Sequence, residues 1–210
     1  MPKRLNDPIK RLNELSKNTS RIIIGLAGLP GAGKSTLTKQ WSEKMGDKIA
    51  ILGMDGFHYY KSELRNFPEP EKAFARKGAP WTFNAKSFVD RVKQLKEGKD
   101  TQWPDFEHGG DPIEDAFTIA HSANLILIEG LYLLYRENDW NDLQYYLDET
   151  WFLDTPEPLA QSRVIGRHMK SANLSLEEAT LKAQSNDLLN GKLVLNTKDK
   201  ADYLIDPVLS

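Results

Sequence analysis

Gly28-Leu29-Pro30-Gly31-Ala32-Gly33-Lys34-Ser35-Thr36 has the spacing of a glycine, four residues and then Gly-Lys-Ser, and it directly follows the apolar run Arg21-Ile22-Ile23-Ile24-Gly25-Leu26-Ala27. A β-branched run of this kind reads as a buried strand. From Lys34 to Met45 the residues Leu37, Trp41 and Met45 recur at intervals of four, which is one apolar helix face, and Gly46 closes it. Strand, glycine loop and helix in this order make a phosphate cradle. The glycines let main-chain N–H groups turn inward around phosphate oxygens, and the helix start adds the positive end of its dipole. Gly28, Pro30, Gly31, Ala32, Gly33, Lys34, Ser35 and Thr36 are thereby expected around the phosphates of ATP. Lys34 reaches the β- and γ-phosphates, and the Ser35 hydroxyl binds Mg²⁺. A glycine-rich turn with a solvated lysine is the structural alternative, and it leaves the preceding strand and following helix unexplained.

At 210 residues the chain suits one domain, residues 1–210, with a substantial core. Its net charge of −2 gives no global basic field, so neither nucleic acid nor a membrane surface is expected as a partner. There is no cysteine, which excludes disulfides, thiol nucleophiles and sulfur-ligated zinc. Met1 to Ser20 carries scattered charges and no apolar core of signal-peptide length, and no segment approaches the roughly 18 apolar residues of a membrane span. A cytoplasmic monomer or homodimer is expected.

Further along, Asp7-Pro8 with Ile9, Leu12 and Leu15 predicts a short amphipathic helix before the first strand. Ile49 to Met54 predicts a second strand ending at Asp55-Gly56. Lys61 to Phe83 reads as an irregular, functional loop, too long for an ordinary connection. Asn84 is placed to cap a helix bearing Phe88, Val89, Val92 and Leu95, closed by Gly98. Leu125-Ile126-Leu127-Ile128 and Thr150-Trp151-Phe152-Leu153 predict central strands ending at Glu129-Gly130 and Asp154. Two helices follow, Pro156 to about Lys170 and Leu176 to about Leu189, before a last strand near Tyr203-Leu204-Ile205. Apolar strands alternating with helices imply an α/β fold, a parallel sheet with helices on both faces. Ligands of such sheets bind at the carboxyl ends of the strands, which singles out Gly28–Thr36, Asp55, Glu129 and Asp154.

An acceptor hydroxyl is a poor nucleophile until a carboxylate takes its proton, and Mg²⁺ must be held against the β- and γ-oxygens. Asp55 is the candidate base, against the alternative of a turn cap in Asp-Gly. Glu129 is the candidate metal carboxylate, against a hydrogen bond to the phosphate loop alone. Asp154 precedes Pro156 and reads as a strand exit. Arg163 and Arg167 lie four apart on one helix face, suited to neutralise the transferring phosphoryl group, although solvated helix arginines are common. The histidines at 58, 108, 121 and 168 lack the spacing of a zinc site. Trp81, Phe83, Trp103 and Phe106 either wall the acceptor pocket or belong to the core.

The sequence resembles the P-loop small-molecule kinases that include uridine kinase, phosphoribulokinase and bacterial pantothenate kinase, and is closest in pattern to a nucleoside/nucleotide-kinase-like branch of them. The resemblance rests on Gly28 to Thr36, Met54-Asp55-Gly56-Phe57-His58, Arg76-Lys77-Gly78-Ala79-Pro80-Trp81-Thr82-Phe83, Leu127-Ile128-Glu129-Gly130, Arg163 to His168 and Asn196-Thr197-Lys198. It implies a P-loop kinase fold with a helical lid at about 160–175 and an acceptor-binding excursion at about 56–110. It also implies Asp55 as base, Glu129 in support of the metal, Arg163 and Arg167 as lid arginines, and Lys198 at the nucleotide. His108, in Pro104-Asp105-Phe106-Glu107-His108, corresponds to a histidine that contacts substrate. His58, Arg76, Lys77 and Asn84 complete the expected acceptor site, with a hydrogen-bonded loop histidine the alternative for His58 and His108. Where uridine kinases place an aspartate after the aromatic, this chain has Asn84, which speaks against nucleoside-type ribose recognition.

The expected activity is therefore transfer of the γ-phosphate of Mg-ATP to a hydroxyl of a pantothenate-, sugar- or nucleoside-like metabolite. Two alternatives are a regulatory P-loop ATPase and a polynucleotide 5′-hydroxyl kinase. The first lacks the guanine-reading Asn-Lys-x-Asp, since Asn196-Thr197-Lys198-Asp199 has its lysine one place late. The second needs a basic groove that the near-neutral charge argues against.

Overall fold

A computed structural model describes residues 1–106 and 110–207. In chain order the elements are β1 (Lys3–Arg4), α1 (Pro8–Leu15), β2 (Ile22–Gly28), α2 (Lys34–Met45) and β3 (Ala50–Gly53). An excursion follows, with α3 (Lys61–Leu64), α4 (Pro70–Ala75), α5 (Ala85–Lys96) and the antiparallel hairpin β4 (Thr101–Phe106) and β5 (Pro112–Ile119). The chain then returns through β6 (Leu125–Gly130), β7 (Glu149–Leu153), α6 (Glu157–Ala172), α7 (Leu176–Lys182), α8 (Leu188–Leu195) and β8 (Tyr203–Ile205). Six strands form one sheet in the order β1-β8-β7-β2-β6-β3, with every pairing parallel.

The apolar runs explain that sheet. In β2, Ile23, Ile24, Leu26 and Ala27 are all fully buried although alternate side chains face opposite sides, so both faces of the central strand are covered. Leu125 to Ile128 and Trp151 to Leu153 behave in the same way. Register then sets the site: Leu26 pairs with Glu129 and Ala27 with Gly130, while Gly53 pairs with Glu129 on the other side. The ends of β2, β6 and β3 therefore deliver the phosphate loop, Glu129 and Asp55 to one carboxyl edge, as the strand-end rule requires.

The excursion is more ordered than its sequence implies. The predicted irregular loop from Lys61 to Phe83 contains α3 and α4, too short to show a helical period. The hairpin β4–β5 and the two-residue edge strand β1 are absent from the sequence reading. Most of β5 is exposed, and in β4 the alternation of buried Thr101, exposed Gln102 and buried Trp103 is cut short where Pro104 breaks the ladder at a register shift, so neither strand has a clear sequence signature. The hairpin is nonetheless anchored. Trp103 is fully buried, packs edge-on against Phe57 and Phe88 with ring centroids 5.0 and 5.9 Å apart, and donates its indole N–H to the Gly53 carbonyl at 2.9 Å. At Gly56 an added Cβ would lie 2.5 Å from the Pro104 carbonyl oxygen, so only glycine lets the hairpin close on the turn that carries Asp55.

The last helical region also differs. The helix expected from Leu176 to about Leu189 is instead α7, a π-helical turn at Ala183–Asp187 and then α8 as far as Leu195. Leu193-Val194-Leu195 is a short unbroken apolar run, which short-range reading cannot distinguish from a strand. Among the described residues no helix is long and apolar enough to cross a membrane.

Candidate active site

The phosphate loop is built as its glycines allow. Gly31 and Gly33 have φ of +76° and +95°, the left-handed region that side chains disfavour. A Cβ on Gly31 would also lie 2.3 Å from the Ala160 carbonyl oxygen, so the loop presses directly on α6. Thr155 donates its hydroxyl to the Ala32 carbonyl at 2.8 Å, and Arg163 Nη1 donates to the same oxygen at 3.3 Å. Lys34 is buried, with Nζ donating to the Gly28 and Leu29 carbonyls at 2.9 and 3.2 Å. Burial lowers its pKa, while the carboxylates of Glu129 and Asp55 pull the other way.

Ser35 Oγ donates to Glu129 Oε1 at 2.7 Å, joining the first turn of α2 to the end of β6. One hydroxyl and one carboxylate are a hard, all-oxygen donor set, which fits Mg²⁺. Among the described residues no group of three or more His, Asp or Glu could hold a metal by itself.

Asp55 follows β3 in a short turn, half-buried. Its neighbour Met54 donates its N–H to the Glu129 carbonyl at 2.9 Å, so the two carboxylate-bearing strand ends are tied by main chain. His58 Nδ1 donates to the Asp55 carbonyl at 2.8 Å, and its ring lies against Phe83 and Phe106, with centroids 3.9 and 4.9 Å away. Lys77 holds its ammonium 5.4 Å from the Phe106 ring centre. Burial lowers the Lys77 pKa, with Asp111 opposing.

One cavity of about 610 Å³ brings most of these groups together. Pro30, Gly31, Gly33, Lys34, Ser35 and Thr36 line it along with Asp55, Glu129, His58, Lys77, Arg163 and Arg167. Phe83 also lines it, whereas Trp103 is core and Trp81 is exposed on the surface.

Within the phosphate loop, Gly28 and Ala32 do not line this cavity, and three expected site residues outside the loop lie elsewhere. Arg76 does not line the cavity; its guanidinium donates to Asn186 Oδ1 at 3.1 Å and Asn190 Oδ1 at 2.8 Å, turned toward the helices by those amides. Asn84 caps α5, accepting the Ser87 N–H at 3.0 Å, and faces a separate polar cavity beside the hairpin. Lys198 pairs with Asp154 at 2.6 Å outside the large cavity, and Arg4 joins the same carboxylate at 3.2 Å. The expected substrate histidine, His108, lies outside the described residues.

Sequence reading missed His168, Asn186, Asp187 and Asn190, all of which line the cavity from the helical side. Their one signal is Asn186 and Asn190 at helical spacing, which a solvated polar face shows equally well.

The sequence matches the model of the phosphoribulokinase / uridine kinase family over residues 23–208. It is similar to a "Putative uridine kinase" of Schizosaccharomyces pombe, 39% identical over 189 residues that cover 86% of this chain and 80% of that protein. It is also similar to "ATP-dependent kinase YFH7" of Zygosaccharomyces rouxii, 31% identical over 231 residues, 92% of this chain and 60% of that longer one. Among solved structures, a "putative fructose transport system kinase" from Silicibacter sp. TM1040 superposes with a TM-score of 0.82 at 29% identity, covering 93% of this chain and 96% of that one.

Proposed function

Because this chain belongs to the phosphoribulokinase/uridine kinase family and is an ATP-dependent P-loop kinase, we propose that it phosphorylates a hydroxyl of a small anionic or polyhydroxylated metabolite, with Asp55 as the base. The observation that carries this reading is the sharing of one cavity by Lys34, Ser35 and Glu129 with Asp55 and Lys77. Its volume, about 610 Å³, falls within the range of about 300–1,000 Å³ typical of small-molecule sites.

The acceptor hydroxyl gives its proton to the Asp55 carboxylate as its oxygen bonds to the γ-phosphorus. The bond from that phosphorus to the β–γ bridging oxygen breaks, and ADP leaves. Lys34, Arg163 and Arg167 offset charge on the phosphoryl oxygens. Ser35 and Glu129 would hold Mg²⁺, whose charge offsets that of the β- and γ-oxygens.

Lys77 adds a partly desolvated cation to the cavity that Asp55 also lines, which favours an acceptor bearing a negative group or several hydroxyls. Asn84, engaged as a helix cap, supports acceptors other than nucleosides. The test is ADP release from Mg-ATP across nucleosides, pantothenate, sugars and sugar phosphates, with product mass verified. One acceptor is expected to stand well above the rest, since hydrogen-bonding sites reject analogues that lack the matching group. If no small acceptor exceeds the water background while polynucleotide 5′-hydroxyl ends do, the metabolite reading is wrong.

A further inference from the structure

The π-helical turn Ala183–Asp187 touches both the lid helix α6 and the loop that carries Lys77. Such turns widen a helix by one residue and recur at functional sites. Here its last two residues hold different partners. Asn186 Nδ2 donates to the Lys77 carbonyl at 2.7 Å, while its Oδ1 accepts from Arg76 Nε at 3.1 Å and from Asn190 Nδ2 at 3.2 Å. Asp187 accepts from His168 Nε2 on α6 at 2.8 Å, with both side chains largely buried, and its other oxygen lies 3.4 Å from Arg167.

The other end of α6 bears on the phosphate loop through Gly31 under the Ala160 carbonyl and through Arg163 on the Ala32 carbonyl. A continuous chain of contacts thus runs from the phosphate loop along α6 to His168, Asp187 and Asn186, and ends on the main chain of Lys77. Tyr132 holds the far side of that loop, donating its hydroxyl to the Gly78 carbonyl at 2.6 Å. The loop is therefore clamped between the exit of β6, next to Glu129, and a turn fastened to the lid.

We propose that Asn186 and Asp187 are positioning residues that link nucleotide binding to the acceptor side: when α6 settles on bound nucleotide, the turn sets residues 76–79 so that Lys77 faces the acceptor. This rests on the nucleotide-site reading above. The link works in both directions, because a nucleotide that stabilises the set loop raises acceptor affinity and an acceptor raises nucleotide affinity by the same factor. Asn186 matters through its donor to Lys77, and Asp187 through its hold on His168. A merely structural role for Asn186 would need only an acceptor for Arg76.

Hydrogen exchange with and without Mg-AMP-PNP tests this without knowledge of the acceptor. In the wild-type protein the nucleotide is expected to slow exchange in residues 28–36, in α6 and also in residues 76–83, each by about fivefold or more. In Asn186→Ala and Asp187→Ala the protection at 76–83 should disappear while that at 28–36 remains. Asn186→Asp keeps the acceptor for Arg76 and removes the donor to Lys77, so it guards against a folding defect and should behave like the alanine variant. Protection at 76–83 that persists in these variants, or a wild-type loop that ignores the nucleotide while residues 28–36 respond, overturns the link alone. No protection at residues 28–36 in the wild-type protein overturns the nucleotide-site reading and the link with it.

Discussion

Ser35 Oγ and Glu129 Oε1 meet at 2.7 Å although 94 residues separate them in sequence, and this contact joins the first turn of α2 to the carboxyl end of β6. If the pair holds Mg²⁺, Glu129→Gln keeps the shape and removes the charge. The Mg²⁺ concentration for half-maximal activity should rise about tenfold and kcat should fall about 10- to 10³-fold. A magnesium titration of the variant checks this, and an unchanged midpoint would confine Glu129 to bonding the loop.

Lys34 is buried, and burial lowers its pKa, so the fold bears a desolvation cost for the charged form. Lys34→Met should lose about 10³-fold or more in kcat/KM while its Tm is no lower than wild type. The folded pKa lies below the ordinary lysine value of 10.5, so the wild-type penalty is full below the folded pKa and fades as pH rises through it. The Tm advantage of the methionine variant should accordingly shrink from about pH 7 to about pH 10. Calorimetry at the two pH values measures it; an advantage that grows with pH contradicts the sign.

Asp55→Asn retains size and hydrogen bonding but cannot accept the proton. A fall in kcat of about 10²- to 10⁴-fold is expected, with the KM for ATP within about twofold of wild type. Steady-state kinetics decide the matter: unchanged kcat with weakened ATP binding removes Asp55 from the base role.

Arg163 lines the cavity and also touches the Ala32 carbonyl, so the contact proposed for it with the phosphoryl group and its grip on the loop would be linked. Arg163→Ala should lower kcat by about 10²-fold or more with a smaller change in KM, and Arg163→Lys should rescue poorly because a lysine cannot reproduce a planar, forked contact. Wild-type kcat in both variants would mark the arginine as solvated.

Asn84 accepts the Ser87 N–H at the start of α5. Asn84→Ala should therefore cost about 1 kcal/mol of stability, seen in urea unfolding, while kcat and the KM for ATP hold. A large rise in acceptor KM at unchanged stability would instead return Asn84 to the acceptor site.

The phosphate loop, Asp55 and Glu129 were readable from local sequence because each is a short motif at the end of an apolar run. A parallel sheet buried on both faces writes its strands as unbroken hydrophobic stretches, as in Ile22-Ile23-Ile24 and Leu125-Ile126-Leu127-Ile128. The hairpin β4–β5 escaped the same reading because the exposed β5 and the short β4, broken at Pro104, carry no such signature. Nor could sequence reveal which way Arg76 and Asn84 turn. A guanidinium or an amide satisfies its hydrogen bonds wherever partners lie, and those of Arg76 are 110 and 114 residues away, on Asn186 and Asn190. Local periodicity and strand-end motifs thus determined five of the six strands of the sheet, the phosphate cradle and the two carboxylates by themselves. The walls of the proposed acceptor side and the contacts that hold the Lys77 loop were decided by tertiary structure alone, because they are made of long-range polar contacts whose geometry exists only after the apolar layers have packed.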